Sequence, residues 1–317
     1  LEDGTVDAEF GINGLATCAF SQGNDRANGV HVLTDGRILL SGYASGLVGD
    51  SIAVTRLLSD GTVDDTFGIG GRVRASIPDR NTIGQAVAVG PNDEIVVSGY
   101  YVAQPAFSTA AMIARFTADG ILDNSFNGTG LRDLSVTGSD ASILNGVAVQ
   151  PDGKVVACGA LTTTTSDLYL VRLNLDGTDD ATFNATGSTT TDFTGTTDRA
   201  NAMTLQDDGR ILVVGETSAG SEDYNFAVAR YLNDVGLGVH HTEAPTIEMQ
   251  VHPQPVSHQA VLFYSLPVSD VITISLSDAR GALVRSITGP VGRAPGRHQQ
   301  DLGELAVLSS GIYFLRV

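Results

Sequence analysis

The sequence contains little of the chemistry that metalloproteins and many enzymes use. It has no tryptophan, two cysteines and six histidines in 317 residues. No histidine or cysteine cluster has the spacing of zinc ligands, and there is no Gly-x-Ser-x-Gly elbow and no Walker-type phosphate loop. Cys18 and Cys158 are too sparse for a disulfide framework. We interpret them as two small buried apolar side chains, with a single disulfide as the alternative.

Positive charge is also scarce. Lysine and arginine number 18 against 36 aspartates and glutamates, which gives a formal net charge of -18. From Glu248 onward acidic and basic residues balance, so the excess negative charge lies upstream. An acidic surface repels phosphate backbones, which excludes nucleic acid as the expected partner. No apolar run is long enough to span a bilayer, so we expect no transmembrane segment. The chain begins with Leu1 and not Met, which predicts a processed N-terminus or an upstream segment.

Repetition is the strongest pattern in the sequence. An Asp-Gly-x-x-Asp segment followed by phenylalanine occurs four times, and a block of the type Asp-Gly-Arg-Ile-Leu-Leu-Ser-Gly follows each copy. A third marker, arginine plus an apolar residue, also recurs in phase. The first aspartates of the four copies are Asp3, Asp60, Asp119 and Asp176, and the arginines are Arg56, Arg115, Arg172 and Arg230. These aspartates are 57, 59 and 57 residues apart, and a period of that length indicates a repeat architecture.

Each repeat reads as four short strands. In the second repeat they are Gly84–Val89, Ile95–Val97, Ala110–Phe116 and about Leu131–Val136. Because no segment has a helical period, we predict an all-β fold, a β-propeller of four-stranded blades, with a β-sandwich as the alternative. The N-terminal strand near Leu15–Phe20 could complete the last blade and close a ring of four. A larger ring is equally compatible with the pattern.

These repeats resemble the delta-60 repeat family over roughly residues 1–235. The resemblance rests on the Asp-Gly-Lys/Arg-Ile-Leu-Val-x-Gly, Ala-Arg-Leu/Phe and Asp-Gly-Thr-Val-Asp-x-x-Phe-Gly segments. It implies a propeller-like domain of extracellular bacterial proteins and no known catalytic activity. Residues 236–247 read as a linker, because the repeat decays there into a Gly- and Pro-containing stretch.

Residues 248–317 have a different pattern, which suits a small Ig-like β-sandwich. The segment resembles the type A C-terminal sorting domain of the type IX secretion system. The residues that carry this resemblance are Pro253, Pro255, Asp278, Gly281, Gly311 and Tyr313. The family usually has Tyr-Pro-Asn-Pro where this chain has His252-Pro253-Gln254-Pro255. The resemblance implies that the secretion machinery is a partner, and that the protein is secreted or attached to the outer-membrane surface after passing through the periplasm.

The recurring aspartates and arginines each allow two interpretations. Asp60, Asp64 and Asp65 are close in sequence and are weak calcium candidates, but aspartates at such positions more often cap turns. The recurring arginines could line a binding face. We favour a structural pairing with an aspartate of the neighbouring turn, which the fork geometry of arginine suits. We therefore expect no cofactor, with Ca²⁺ as the alternative.

Threonine-rich stretches, Thr162–Thr165 and Thr189–Thr197, depart most from the repeat. Variable loops on a regular scaffold are common recognition sites, but an exposed hydrophilic loop without a partner is the favoured interpretation. The carboxylates recur with the repeat, and no unique pair stands out as a glycosidase would require. The sequence predicts a binding or interaction module for a glycan or protein ligand and no enzyme. An extracellular carbohydrate-active enzyme, a hydrolase or lyase, is the alternative.

Overall fold

The computed structural model consists of strands and turns. It describes residues 4–20, 23–46, 49–103, 108–193, 196–218, 220, 223–233, 249–252, 258–266, 269–278, 283–305, 308 and 313–316. No helix occurs in these ranges, which confirms the all-β prediction. They accordingly include no helix long and apolar enough to cross a membrane. The chain divides into two compact units, Leu1–Gly238 and Val239–Val317.

The first unit contains four successive antiparallel blades, one per repeat. Their strands are β1 (Asp25–Val32), β2 (Ile38–Gly46), β3 (Gly49–Leu57) and β4 (Arg72–Ala75) in blade 1; β5 (Asn81–Val89), β6 (Ile95–Ala103), β7 (Ser108–Phe116) and β8 (Leu131–Asp133) in blade 2; β9 (Ala141–Val149), β10 (Val155–Thr162), β11 (Ser166–Leu173) and β12 (Ser188–Thr191) in blade 3; and β13 (Thr197–Leu205), β14 (Ile211–Ser218) and β15 (Tyr224–Tyr231) in blade 4. The first three strands of blade 2 are longer than the sequence predicted, and the fourth is shorter.

The two ends of each blade differ in character. The described turns after the first and third strands contain the recurring Asp-Gly pairs, with Asn92-Asp93 in their place after β5, and they lie at what we call the turn end. The hairpin between the second and third strands and the connection to the next blade lie at the opposite loop end, because consecutive strands are antiparallel. Gly36 and Gly153 have φ values of 86° and 83°, a backbone conformation that favours glycine, and Asp93 takes the same position in blade 2 with a φ of 62°.

Neighbouring blades are held together by shared hydrophobic cores. One core combines Ile52 and Val54 of blade 1 with Val97 and Met112 of blade 2. Met112 belongs to β7, and a second core begins on the other face of that strand, where Ile113 packs with blade 3. A third core joins blades 3 and 4. Successive side chains of β7 point to opposite faces, so this one strand contributes to two cores.

One face of β15 in the last blade remains exposed. Blade 4 has three strands, and β15 pairs only with β14 among the described residues. The side chain of Phe226 on β15 is fully exposed. Residues 4–20 lie against blade 1, where the Gly11 N–H donates to the Asp60 carbonyl at 2.6 Å. The predicted completion of blade 4 by Leu15–Phe20 of the same chain is therefore not observed.

The second unit is built from two three-stranded antiparallel sheets. One contains β16 (Met249–His252), β17 (Gln259–Leu266) and β20 (Gly296–Glu304), and the other contains β18 (Asp270–Asp278), β19 (Leu283–Arg293) and β21 (Tyr313–Arg316). Leu262 and Tyr264 of the first sheet share a core with Ile272 and Ile274 of the second. This arrangement is a small two-sheet unit, and its Ig-like topology stays a prediction.

Candidate functional site

Each complete blade has the same arginine–aspartate pair at its turn end. The Nε atom of Arg56 donates to Oδ2 of Asp64 at 2.7 Å, and both side chains are buried. Arg115 and Asp123 repeat the contact at 2.8 Å, and Arg172 and Asp180 repeat it at 2.7 Å. The predicted pairing of these arginines with an aspartate of the adjoining turn is therefore confirmed for blades 1 to 3.

The same arginine connects its blade to the next one. Arg56 donates through its NH1 group to the carbonyl of Ala118 in blade 2 at 2.7 Å, and its guanidinium lies 4.7 Å from the centre of the Phe67 ring. Phe67 in turn packs on Gly120, where an added Cβ atom would lie 2.7 Å from the ring. We call this set of contacts the blade corner: the arginine, the aspartate, the phenylalanine and the glycine of the following turn.

The corner carboxylates are strongly stabilised in their ionised form. Burial by itself would raise the pKa of Asp180, but hydrogen bonds from Lys154 and Thr182 and the charge of Arg172 outweigh it and hold this pKa well below its usual range. The pKa of Asp64 is lowered in the same way, against the effect of burial, by hydrogen bonds from Thr66 and Arg56. Ionised, hydrogen-bonded carboxylates at these positions hold structure and leave little capacity for a ligand.

The calcium candidates lie at the corner of blade 1. Oδ1 of Asp60 accepts hydrogen bonds from the backbone and side chain of Thr62 at 2.9 and 2.6 Å. Asp64 is engaged by Arg56 and Thr66 through both oxygens, whereas Asp65 is exposed. These bonds match the turn-capping interpretation of Asp60 and Asp64. Calcium binding here stays a prediction.

The loop end between blades 3 and 4 carries a cluster of three carboxylates that recurs nowhere else among the described residues. Asp167 lies near the start of β11, Asp192 directly follows β12, and Asp198 is the second residue of β13. One carboxylate oxygen from each residue lies within 4.8 Å of the others. Asp192 is exposed, Asp167 is half-buried and Asp198 is buried. We call these three residues the acidic triad.

Asp198 is the buried member of the acidic triad. Its Oδ2 atom accepts a hydrogen bond from the Phe193 backbone at 2.7 Å, and its Oδ1 atom is buried without a hydrogen-bond partner in the described structure. The equivalent residues of blades 2 and 3 are Thr82 and Ser142, whose hydroxyls accept backbone N–H bonds from the preceding blade. Blade 1 repeats the carboxylate: Oδ2 of Asp25 accepts the Phe20 N–H at 2.8 Å, and its Oδ1 atom is also buried without a hydrogen-bond partner in the described structure. The spare acceptor capacity of a carboxylate therefore occurs at this position in blades 1 and 4, and Asp198 differs in having Asp167 and Asp192 beside it.

Threonines surround the acidic triad. Thr163–Thr165 form the hairpin next to it, and the Thr165 hydroxyl donates to Oδ1 of Asp167 at 3.2 Å. Thr189–Thr191 belong to strand β12 and not to a loop, which corrects the sequence-based interpretation. They lie in β12 because β-branched residues such as threonine suit a strand.

Sequence reasoning missed the acidic triad. Asp167, Asp192 and Asp198 are spread over 32 positions and belong to no marker of the repeat. The statement that no unique carboxylate group stands out is therefore wrong for this end of blade 3. Alignment of the repeats does contain a signal for Asp167, because it is the only acidic residue at its position. The equivalent residues in blades 1, 2 and 4 are Ser51, Ala110 and Asn225.

The remaining singled-out residues fall into two groups. Both cysteines are free thiols: Cys158 is buried as predicted, whereas Cys18 is only half-buried. Of the sorting-motif residues, Tyr313 begins β21 and Asp278 ends β18. Pro253, Pro255, Gly281 and Gly311, together with the linker residues 236–247, lie outside the described residues.

Comparison with protein families identifies the repeats. The model of a β-propeller domain of unknown function, DUF5122, matches residues 33–67, 90–126, 150–183 and 206–234. Each match covers the second and third strands of one blade and, in the first three, the corner phenylalanine. The first unit is a β-propeller repeat domain. The propeller prediction is thereby confirmed, while the delta-60 assignment stays a prediction.

Solved structures resemble the β-propeller repeat chain only distantly. A protein of unknown function from Bacteroides caccae is 11% identical, with a TM-score of 0.33 over 75% of this chain and 70% of the other. A gluconolactonase from Xanthomonas campestris is 17% identical, with a TM-score of 0.33 over 63% and 58%. An α-L-arabinofuranosidase from Clostridium thermocellum is 12% identical, with a TM-score of 0.34 over 86% and 97%. No protein with a curated description matches the chain.

Proposed function

We propose that the propeller is a binding module whose ligand site is the acidic triad at the loop end of blade 3. The observation that carries this proposal is the buried Asp198 carboxylate, whose Oδ1 atom has no hydrogen-bond partner in the described structure. A buried carboxylate oxygen without a donor is costly. A ligand that donates to it would remove that cost.

The chemistry of the site favours a ligand rich in hydroxyl groups. Carboxylates accept hydrogen bonds from hydroxyls, and the neighbouring threonine hydroxyls both donate and accept. Half-exposed Asp167 and exposed Asp192 leave the site open to solvent. A glycan therefore fits better than an anionic ligand, which the net charge of -18 would repel. A protein segment presenting serine or threonine hydroxyls is the second ligand class.

The location of the protein is part of the proposal. Resemblance of residues 248–317 to a type IX sorting domain supports secretion or attachment at the bacterial outer surface. Fusing residues 236–317 to a periplasmic reporter in a bacterium that has this secretion system tests the assignment. The reporter should reach the medium or the cell surface, and truncation before Tyr313 should retain it in the periplasm. A reporter that stays inside with the intact segment would refute the assignment.

A carbohydrate-active enzyme is the second candidate function. Oxygens of the three triad carboxylates lie within 4.8 Å of one another. Retaining glycosidases place their two carboxyl groups about 5 Å apart. The buried Asp198 and the exposed Asp192 occupy unequal environments, which is the arrangement that separates an acid from a nucleophile or base.

A glycan array with a hydrolysis readout separates the two functions. We expect the full chain to bind a subset of glycans, and we expect Asp167→Asn with Asp192→Asn to weaken that binding at least tenfold. Asp140→Asn is the matched control, because Asp140 is an exposed aspartate at the loop end of blade 2. Release of reducing sugar by the native chain, lost in the double variant, would establish the enzyme. Unchanged binding in the double variant would exclude the acidic triad as the site.

A further inference from the structure

Two of the three carboxylates of the acidic triad lack a positively charged partner in the described part of the chain. Among the described residues, no arginine, lysine or histidine forms an ion pair with Asp167 or Asp198. The carboxylates of the blade corners differ in this respect, because each of them is paired with an arginine. Buried charges in proteins are paired with an opposite charge or bind a metal ion. A metal ion is a partner that suits three carboxylates at one point.

Asp198 adds an observation that the proximity of the three residues does not contain. The residue is completely buried, and its Oδ1 atom has no hydrogen-bond partner in the described structure. An oxygen of the same carboxylate lies within 4.8 Å of oxygens of Asp167 and Asp192, so the side chain is directed at the cluster. A buried carboxylate oxygen without a donor or a cation is costly. The group is therefore directed at the cluster and also short of a partner.

Comparison with Asp25 separates the cluster from the ordinary strand position. Asp25 accepts the N–H of Phe20 and has a buried Oδ1 atom without a partner among the described residues. Ala19 precedes Phe20, whereas Asp192 precedes Phe193 at the corresponding place. A spare buried oxygen is thus common to both positions, but in the described structure it meets further carboxylates only between blades 3 and 4.

All three acidic residues replace small neutral residues of the other junctions. The residues at the same positions of the repeat are Ser51, Ser76 and Thr82 between blades 1 and 2, and Ala110, Ser135 and Ser142 between blades 2 and 3. Those junctions form without a carboxylate, since the hydroxyls of Thr82 and Ser142 accept backbone N–H groups. Blade packing therefore does not require an acid at these positions, and three acids at one junction indicate an additional role.

The spacing of the triad oxygens suits one calcium ion. Ca²⁺ binds oxygen at about 2.3 to 2.6 Å, so two oxygens on one ion can be up to about 5 Å apart. The triad oxygens lie within 4.8 Å of one another. Mg²⁺ requires shorter bonds in near-ideal octahedral geometry, and Zn²⁺ prefers the nitrogen and sulfur ligands that the described cluster does not contain. Ca²⁺ tolerates irregular geometry, which fits carboxylates contributed by three separate segments.

We infer that the acidic triad binds one Ca²⁺ ion, with Asp198 as the buried ligand and with Asp167 and Asp192 as the other two carboxylates. Ca²⁺ takes about six to eight oxygens, and water can supply the remaining ones through the exposed side of Asp192. The inference goes beyond the proposed glycan function, because a cation can bind with or without a glycan. Glycan hydroxyls can replace the waters, so both ligands can share the site.

Calorimetric titration of the full chain with CaCl₂ tests the inference without a glycan. After chelator treatment and desalting, we expect one Ca²⁺ per chain with a dissociation constant of about 0.1 to 1 mM, the range of weak calcium sites. Asp167→Asn with Asp192→Asn should raise that constant about tenfold or more, because the site loses two charged ligands.

The control for this titration removes two charges elsewhere, because a chain with a net charge of -18 also attracts cations non-specifically. Asp25→Asn with Asp140→Asn makes the same change in net charge and should leave the dissociation constant unchanged. Absence of Ca²⁺ binding by the native chain would overturn the inference. Equal weakening in the two double variants would overturn it as well.

Thermal unfolding gives a second readout that distinguishes a site from general screening. A ligand that binds only the folded chain raises the unfolding midpoint, and we expect about 10 mM Ca²⁺ to raise it by about 2 to 6 °C. Mg²⁺ at the same concentration screens the negative charge equally and should raise the midpoint by less than half as much. Asp198→Asn keeps an oxygen for the Phe193 N–H and should abolish the difference between the two ions. Equal midpoints in Ca²⁺ and Mg²⁺ for the native chain would contradict a calcium site.

The calcium inference and the glycan function fail separately. Both calcium measurements are made without a glycan, so a glycan array without any binding leaves their outcome unchanged. Conversely, glycan binding by a chain that binds no Ca²⁺ would overturn the calcium inference and leave the proposed function standing.

Discussion

The buried corner arginines are the side chains on which the blades depend most. Replacing Arg56 by alanine leaves the buried Asp64 without its guanidinium and breaks the bond to Ala118 of blade 2. Removing one partner of a buried ion pair costs about 3 to 5 kcal/mol. We expect Arg56→Ala to lower the free energy of unfolding by that amount in urea denaturation. Exposed Arg199 is the control, and Arg199→Ala should change stability by less than about 0.5 kcal/mol.

Glycine is needed in the turns for two separate reasons, a positive φ value and close packing, which a pair of variants distinguishes. Gly120 and Gly138 have φ values of 83° and 85°, so alanine is strained at both. Only Gly120 faces a ring, because a Cβ atom there would lie 2.7 Å from Phe67. Gly138→Ala should therefore cost about 1 kcal/mol, and Gly120→Ala should cost about 1 to 3 kcal/mol more. Equal midpoints in thermal unfolding would contradict the packing of Phe67 on the turn.

The free thiol of Cys158 should be inert in the folded protein. Burial between blades 3 and 4 raises its pKa to about 12, so almost no thiolate is present near neutral pH. In a Cys18→Ser chain, we expect no reaction with a thiol reagent at about pH 8 until denaturant is added. Fast labelling of the native protein would show that the face between these blades opens.

At the scale of the element, the corner couples blade stability to pH. The native pKa values of Asp64, Asp123 and Asp180 are all lowered relative to an unfolded carboxyl. Their stabilising effect is fully present above the unfolded pKa, about 3.9, and is lost as the pH falls through the lower native values. We expect the urea midpoint to fall steeply below about pH 4. A double variant, Arg172→Ala with Asp180→Asn, should lose less stability over that range, and an equal loss would contradict the assignment.

Strand positions in the repeats could be predicted from the sequence, but their lengths could not. The apolar run Ile95–Val97 identified the second strand of blade 2, yet β6 continues to Ala103 through tyrosines and a serine. Those residues extend the strand because Tyr101 is buried against blade 1, a contact that no local pattern reveals. The short outer strand β8 was overestimated for the opposite reason: Leu134 is buried in the next core but forms no strand.

The candidate site was less predictable than the fold, and the reason is geometric. Asp60, Asp64 and Asp65 attracted notice because they are adjacent in sequence, whereas two of them serve the turn. Asp167, Asp192 and Asp198 meet only because a hairpin and a connection between blades lie at the same end of one blade. Sequence repetition identifies residues that recur in every blade, but it does not identify residues that only the fold brings together.

At the scale of the whole molecule, shared cores should make the four blades unfold together. Leu144 belongs to the core between blades 2 and 3, and it is completely buried. Leu144→Ala should cost about 2 to 5 kcal/mol. Hydrogen exchange should show that loss in all four blades and not only in the two that touch the residue. Protection lost in blades 2 and 3 alone would show that the four blades unfold in separate parts.

The division between a turn end and a loop end has a consequence for how such a protein can be altered. The blade corners, which link each blade to the next, lie at the turn end, while the hairpin Thr163–Thr165 and the acidic triad lie at the opposite, loop end. Replacing that hairpin with a foreign peptide leaves the blade corners unchanged. New binding specificities can therefore be introduced, selected or lost at the loop end without changing the blade corners at the turn end.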